Sequence, residues 1–295
     1  MLAVTLAHLS DPHLPLLPGV PPASLHRLAG KRSLSYLAMP RKPGRARAVA
    51  ALAALAADVA AHRPDHIAVT GDLTNLALPG EFARARRWLA RLGPPERVSA
   101  IPGNHDALVA VPPARGWDLW APWMGEGFPA VRRAGSLALV GLNSAVPTPP
   151  LFASGRLGEN QLARLGPLLA ALGRDGLFRV VLVHHPPLGG RGGWRRALRD
   201  AGALREVLRA HGAELVLHGH DHRATLLALP GPAGPIPVYG VPSASAPAAR
   251  WHLHRVEPEG DGWRLHTLAR GRDPASGRFG TLGAWSLRLE RRGGG

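Results

Sequence analysis

The sequence contains no cysteine, and only two of its 36 basic residues are lysine. The first absence excludes disulfide bonds, thiolate metal sites and cysteine nucleophiles, so any metal must be held by histidine, aspartate, glutamate or asparagine. A long hydrophobic run is also missing: the longest, 48–57, is mostly alanine and falls well short of the ~20 residues that cross a bilayer. The N-terminal sequence MLAVTLAHLSDPHL lacks the basic and apolar regions of a signal peptide. We therefore expect a cytoplasmic protein without a transmembrane segment.

Acidic residues are scarce, and 20 of them against 36 basic residues give a formal net charge of +16. This excess has two interpretations, either the arginine-rich coding of a GC-rich genome on a solvated surface or a footprint for nucleic acid or anionic lipid. The charge clusters in a stretch without acidic residues, whose centre, residues 14–45, we call the basic insert. Such an insert predicts a lid over a phosphorylated substrate, a patch for an anionic membrane surface, or a solvated loop. Its basic residues are Arg27, Lys31, Arg32, Arg41, Lys42 and Arg45.

Short runs rich in valine, isoleucine and leucine alternate with longer amphipathic segments, which indicates an α/β fold. The predicted strands are Leu2–Leu9, His66–Thr70, Val98–Ile101, Leu137–Leu142, Phe178–Val183, Glu214–Leu217 and Ile236–Tyr239. The predicted helices are Arg45–His62, Glu81–Leu92, Glu159–Leu172 and Arg199–His211. From Trp251 onward, apolar and polar residues alternate between turn residues, which predicts an antiparallel end to the sheet. No repeat or long linker divides the chain, so we expect one domain over residues 1–290 and a frayed tail at 291–295.

Five polar clusters directly follow predicted strands: Asp11-Pro-His13, Gly71-Asp72, Gly103-Asn104-His105-Asp106, His184-His185 and Gly219-His220-Asp221-His222. In a mostly parallel sheet, the carboxyl ends of the strands meet at one edge, where ligands bind. Seven side chains of these clusters have the oxygen and nitrogen donors that suit two divalent metals: Asp11, His13, Asp72, Asn104, His184, His220 and His222. The sequence therefore predicts a dinuclear metal centre at this edge.

Local geometry supports the same prediction. Asp-x-His and His-x-His each direct two side chains to the same side of an extended segment. Glycines at 71, 103 and 219 allow the chain to turn with positive φ just beyond the strands. His185 and His218 would point away from the centre, and Asp221 would face outward. Eight other histidines have no motif around them, and we interpret each as an ordinary core or surface residue: His8, His26, His62, His66, His211, His252, His254 and His266.

The tetrapeptide GNHD at 103–106 is the most specific of these signals. With four asparagines and 11 aspartates in the chain, it arises by chance in roughly one such sequence in a thousand. Together with D-x-H, GD, H and GHxH in this order, it resembles the calcineurin-like metallophosphoesterase superfamily from Leu2 to about Pro242. Within that superfamily, the GNHD form and the chain length are most similar to the class III cyclic nucleotide phosphodiesterases.

The resemblance implies a four-layer α/β/β/α sandwich of two mixed sheets flanked by helices, with two divalent ions, commonly manganese, iron or zinc. Carried over residue by residue, it implies two sets of ligands. The first metal would be held by Asp11, His13 and His222, the second by Asn104, His184 and His220, and both would be bridged by Asp72.

Such a centre is suited to phosphoester chemistry. Two divalent ions, two carboxylates and a bridging hydroxide leave about one positive charge, which attracts a phosphate oxygen and supports in-line attack by the hydroxide. His105, beside the ligand Asn104, is our candidate to protonate the leaving oxygen, with its orientation fixed by Asp106 or by a nearby carbonyl. We expect a phosphodiesterase or phosphomonoesterase acting on a small phosphorylated substrate, with cyclic nucleotides the first to test.

Three other functions remain open at this point. A nucleotide-linked lipid pyrophosphatase is favoured if the basic insert binds lipid. A nuclease of the same superfamily is disfavoured, because 295 residues leave no evident DNA-capping domain. A non-catalytic protein-binding scaffold is the alternative from outside the enzymes, and the complete set of candidate ligands argues against it.

Overall fold

A computed structural model describes residues 2–16, 30–37, 42–190 and 192–290 of the chain. The predicted tail at 291–295, most of the basic insert before residue 30, and Arg41 lie outside the described residues. The single-domain boundary at residue 290 therefore stays a prediction. None of the helices described in these ranges is long and apolar enough to cross a membrane.

Two six-stranded sheets form the centre of the fold. The strands are β1 (Val4–Leu9), β2 (His66–Val69), β3 (Val98–Ala100), β4 (Ala130–Ala134), β5 (Leu137–Gly141), β6 (Phe178–Leu182), β7 (Leu215–His218), β8 (Thr225–Gly231), β9 (Gly234–Gly240), β10 (Arg250–Glu259), β11 (Gly262–Arg272) and β12 (Phe279–Leu289). The first sheet has the order β12-β11-β10-β1-β2-β3, with β1 to β3 parallel and β10 to β12 antiparallel. The second sheet has the order β4-β5-β6-β7-β9-β8, with antiparallel β4 and β8 at its edges.

Helices cover the outer face of each sheet. They are α1 (Lys31–Leu37), α2 (Lys42–His62), α3 (Pro79–Leu92), α4 (Ala121–Met124), α5 (Glu159–Arg174) and α6 (Ala201–His211). Leu55 of α2 and Phe82 of α3 belong to the core on the first sheet, and Leu169 of α5 and Leu208 of α6 belong to the core on the second. A third core fills the space between the sheets, because residues alternate faces along each strand. The predicted α/β/β/α sandwich of two mixed sheets is confirmed.

All seven predicted strands and all four predicted helices are present, and the antiparallel C-terminal strands are confirmed. The sequence did not predict β4 and β8. Both are edge strands of the second sheet. β4 contains two arginines and has no apolar run, whereas β8 has a short apolar run at 226–229 that the sequence analysis missed and that is mostly exposed.

The loop before α3 is held by a single carboxylate. Glu81, in the first turn of α3, accepts hydrogen bonds from the backbone N–H groups of Asn75, Leu76 and Leu78 at 2.9–3.3 Å. A carboxylate here satisfies unpaired amides and complements the positive end of the helix. The loop at 75–78 is thereby fixed beside the carboxyl ends of β2 and β3.

Candidate active site

The seven predicted metal ligands lie together at the carboxyl ends of five strands, β1, β2 and β3 of the first sheet and β6 and β7 of the second. The two sheets present these ends at the same edge of the sandwich. Side chains up to 211 residues apart in sequence therefore come within contact distance, as for His222 and Asp11.

The first group contains Asp11, His13 and His222. His222 Nε2 lies 3.2 Å from Asp11 Oδ1 and 3.2 Å from His13 Nε2, and His13 Nε2 lies 3.9 Å from Asp11 Oδ1. One donor atom from each of these residues and from Asp72 lies within 4.8 Å of the others. This group matches the residues that the resemblance assigns to the first metal.

The second group contains Asn104, His184 and His220. Asn104 Oδ1 lies 3.1 Å from His184 Nε2 and 2.7 Å from His220 Nδ1. The other ring nitrogens face backbone carbonyls: His184 Nδ1 is 2.7 Å from the oxygen of Thr70, and His220 Nε2 is 3.0 Å from that of Arg196. A carbonyl oxygen only accepts, so those nitrogens carry the proton, and in the neutral rings the lone pairs of His184 Nε2 and His220 Nδ1 face the amide oxygen.

Converging acceptors of this kind fit a cation. Three acceptor atoms cannot satisfy one another, whereas a divalent metal accepts electron density from all three, and histidines oriented by backbone carbonyls are typical of metal ligands. The donor chemistry of both groups, imidazole nitrogen with carboxylate and amide oxygen, therefore fits the divalent ions that the resemblance implies.

Asp72 lies between the two groups. Its Oδ2 is 3.7 Å from His13 Nε2 and 3.4 Å from His184 Nε2, while its Oδ1 accepts the backbone N–H of His105 at 2.8 Å. The carboxylate is buried. One oxygen thus faces both groups and the other is fixed by a backbone amide, which is the arrangement a bridging ligand requires.

The charges of the site favour ionised carboxylates. Burial raises the pKa of Asp72, but the neighbouring His184 and His105 outweigh it and hold that pKa well below its usual range. Burial lowers the pKa of His184, and the charge and hydrogen bond of Asp72 reverse this and raise it to about 9. Burial and the adjacent His105 lower the pKa of His13 to about 4.

The local backbone differs from the predicted extended form. Five of the seven ligand candidates have left-handed φ angles: Asp11 51°, His13 38°, Asp72 55°, His220 69° and His222 52°. The predicted extended conformation of the Asp-x-His and His-x-His segments is therefore wrong. His220 and His222 in fact belong to different groups, since the turn separates their rings.

The glycines have two different roles. Gly71 has a φ of 98°, as expected. The expected positive φ is absent at Gly103 and Gly219, where the requirement is close packing instead. A Cβ at Gly103 would lie 2.3 Å from Asp72 Oδ1, and one at Gly219 would lie 1.9 Å from Ser10 Oγ. Both positions need glycine because the ligand loops touch there.

His105 lies beside the first group, with its ring centroid 4.8 Å from that of His13. Its Nδ1 donates to the carbonyl oxygen of Asn75 at 2.9 Å, which leaves Nε2 as the free position for proton transfer. The nearby carbonyl, not Asp106, therefore orients this ring. Asn75 was not predicted, and its side-chain amide also donates to the carbonyl of Leu14 at 2.9 Å.

Asp106 is fully buried and joins two ligand loops. Its Oδ1 accepts the backbone N–H and the hydroxyl of Thr74 at 2.8 and 2.9 Å, and its Oδ2 accepts the N–H groups of Gly103 and Leu73 at 2.9 and 3.3 Å. These contacts make Asp106 a positioning residue for the loops that carry Asp72 and Asn104.

The neighbouring histidines and aspartate have other contacts. His185 bonds Ser144 Oγ and the Ala153 carbonyl through its two ring nitrogens, at 2.8 and 3.1 Å, so it has no nitrogen left for a metal. Asp221 is partly exposed and borders a cavity of about 460 Å³ with Asn104 and His220.

A larger cavity of about 620 Å³ opens beside His13, His105 and His222. Its other walls combine apolar and polar side chains, among them one arginine of the basic insert: Pro15, Leu16, Asn75, Arg45, Arg47, Ser243, Ser245, Ala246 and Pro247. Ser243 also donates its hydroxyl to the carbonyl of Asp11 at 2.7 Å, which ties the loop after β9 to the first group.

Comparison with known proteins identifies the family of the chain. The family model of calcineurin-like phosphoesterases matches residues 4–224. A protein described as a probable cyclic nucleotide phosphodiesterase, from Synechococcus, is 30% identical over 212 residues, which cover 68% of this chain and 75% of the relative. The crystal structure of a dimetal phosphatase from Danio rerio matches the fold with a TM-score of 0.60 at 13% identity, over 97% of this chain and 99% of that one. The chain belongs to the calcineurin-like phosphoesterase family and is a metal-dependent phosphoric ester hydrolase.

Proposed function

We propose that this enzyme hydrolyses a small phosphodiester or phosphomonoester at a dinuclear centre held by the seven ligand candidates. The position of Asp72 carries this proposal, because one carboxylate oxygen lies within 3.7 Å of a histidine of each group. Two cations there, with manganese, iron and zinc as the candidates, would supply Lewis acidity and an acidified water for in-line attack on phosphorus. No nucleophilic side chain is then required.

His105 is the proposed general acid. The Nδ1–H of His105 donates to the carbonyl oxygen of Asn75. The proton for the leaving oxygen is therefore donated from Nε2 of the protonated ring. His105 borders both cavities, and a substrate in either one meets this side chain. Because its backbone N–H also donates to Asp72, this hydrogen bond joins the loop of the general acid to the loop of the proposed bridging carboxylate.

A cyclic nucleotide is the substrate we propose first. The 620 Å³ cavity accommodates a nucleotide, its apolar walls suit a base, and Arg45 and Arg47 add positive charge. The description of the Synechococcus relative points to the same class. The second candidate is a nucleotide-linked lipid pyrophosphate, which the apolar residues Pro15, Leu16 and Pro247 favour.

The described part of the basic insert lines the larger cavity through Ser35, Gly44 and Arg45. Lys31 donates to the hydroxyl of Thr148 and the carbonyl of Phe152 at 2.6 and 2.7 Å, and Arg32 donates to the carbonyls of residues 76 and 77 at 2.9 and 2.7 Å. These two cations therefore tie α1 to loops of the enzyme body. We propose that the described part of the insert covers the substrate, and the alternative of an anionic membrane surface predicts binding to acidic vesicles.

A substrate panel tests these proposals. With manganese, we expect hydrolysis of a cyclic nucleotide and of an aryl phosphodiester, and no activity with excess chelator. Hydrolysis of a dinucleotide-linked lipid alone would select the pyrophosphatase, and turnover of single-stranded DNA would select a nuclease.

Asp72→Asn should remove activity and lower the bound metal, whereas Asp175→Asn, at an exposed carboxylate paired with Arg133, should change neither. Equal metal content and activity in Asp72→Asn would refute the dinuclear centre.

A further inference from the structure

Three buried histidines lie side by side in the layer between the sheets, behind the candidate metal centre. His8 is near the end of β1, and His252 and His254 are on β10. The antiparallel register pairs His8 directly with His252, and His254 lies two residues further along the same face. One ring nitrogen of each lies within 4.8 Å of the others, and none of the three residues is more than 4% exposed.

Each of the three rings has a buried nitrogen without a hydrogen-bond partner among the described residues: His8 Nδ1, His252 Nδ1 and His254 Nε2. A buried polar atom left unsatisfied costs about 1–3 kcal/mol, so three in one cluster require an explanation. The opposite nitrogens of His8 and His254 lie 3.0 Å from the hydroxyls of Thr70 and Thr267. When those hydroxyls accept hydrogen bonds from the rings, the bonded nitrogens carry the ring protons. The unpartnered nitrogens of His8 and His254 then carry lone pairs.

The rings are neutral. Burial, followed by the charges of the other histidines, holds the pKa of His8 and of His254 well below the usual range. Burial, together with Arg250, lowers the pKa of His252 to about 4. Neutral imidazoles repel one another little and are the form that binds metals. A charged cluster is therefore excluded as the reason for the grouping.

We infer that His8, His252 and His254 form a third metal site, separate from the dinuclear centre, that takes zinc or a similar borderline cation with water as the fourth ligand. Three histidines and one open position are a known zinc donor set, whereas calcium and magnesium require oxygen ligands. A filled tetrahedral site needs nitrogens about 3.3 Å apart. The rings must therefore turn inward on binding from their present separation.

The site would join the two halves of the first sheet. β1 belongs to the parallel part and β10 to the antiparallel part, and both would supply ligands to one ion. Thr70 connects this cluster to the active site, since its hydroxyl contacts His8 and its carbonyl accepts from His184. The metal at this position has a structural role, and it stabilises the folded chain by binding only the folded state.

The test uses a full-length variant whose dinuclear centre is disabled in both groups, Asp11→Ala/Asn104→Ala. We expect this variant to retain one equivalent of zinc per chain after dialysis, and to bind cobalt with the visible bands of a four-coordinate, nitrogen-rich site. Its melting temperature should rise with zinc concentration. No retained metal and no zinc-dependent rise would overturn the inference and leave a bare or water-bridged histidine cluster.

Further variants assign the ion to these residues. Adding His252→Asn/His254→Asn should remove the equivalent of metal and the cobalt spectrum. His66→Asn is the matched control, because His66 is also a buried strand histidine with an unpartnered Nδ1 and a hydroxyl partner, Ser99, but lies outside the cluster. An unchanged spectrum in the His252/His254 variant would place the ion elsewhere and refute the site. If that variant does not fold, the metal count and spectrum of the parent variant decide.

Discussion

Replacing Asp106 by asparagine tests how the ligand loops are positioned. The carboxylate accepts two hydrogen bonds at each oxygen, and in the variant an amide nitrogen would replace one of these oxygens and face two donors. Burial and the charge of Asp72 raise the pKa of Asp106 to about 7, and the hydrogen bonds from Gly103 and Thr74 oppose this rise. We take each lost bond at the lower end of the energy range for hydrogen bonds to charged groups. The loss of two such bonds should lower the unfolding free energy by about 3 kcal/mol.

Function should fall as well, because these bonds fix the loops that carry Asp72 and Asn104. Removing such support around metal ligands typically costs about 10–100-fold in metal affinity or activity. The measurements are urea unfolding, metal titration and kcat. Asp200→Asn is the matched control, since Asp200 accepts the backbone N–H groups of Leu157 and Gly158 at 2.8–3.1 Å away from the site. If both variants lose stability and Asp106→Asn keeps wild-type metal affinity and kcat, the positioning role is refuted.

Three further predictions follow from single contacts. His105→Ala should lower kcat by about 100-fold or more on a diester with a poor leaving group and far less on an aryl diester, whose leaving group needs no proton; equal losses on both would contradict the general-acid role. Glu214→Ala should lower the unfolding free energy by about 3–5 kcal/mol, because it leaves the guanidinium of Arg179 buried without its ion pair, and chemical denaturation measures this. Burial and the charge of Arg132 lower the pKa of His66 to about 4, so the unfolded chain binds the extra proton and stability should fall as the pH drops from about 6.5 toward 4; His66→Asn should flatten this slope in melting curves.

The residue pattern was sufficient to predict the α/β class and the edge at which the polar clusters lie, and the family resemblance implied the four-layer sandwich. Buried strands such as β5 consist of apolar residues on both faces, and this composition is visible without a structure. The polar clusters directly after those strands then follow the general rule for strand ends. Edge strands such as β4, with exposed arginines, have no comparable signal.

Local and long-range geometry could not be predicted in the same way. The left-handed backbone at Asp11 and His13 depends on hydrogen bonds to the loop after β2, which hydrophobic periodicity does not encode. The contact of His8 with His252 and His254 depends on the register of strands more than 240 residues apart. The available signal was His252-x-His254, which places two histidines on the same face of a strand. Predicting their contact with His8 would also have required predicting that β1 is the partner strand.

The left-handed ligand residues are held by hydrogen bonds between the ligand loops. Non-glycine residues in this region cost about 1–3 kcal/mol each, and they persist only where the surroundings determine them. Here the N–H of Asp11 donates to the carbonyl of Gly71 at 3.0 Å, that of His13 to the carbonyl of Asp72 at 2.9 Å, and that of His220 to Asp11 Oδ2 at 3.1 Å. Three of the five strained residues are thus held by a neighbouring ligand loop. Because the core on both sides of the two sheets fixes the strands that carry these loops, the packing of the fold contributes to the donor geometry.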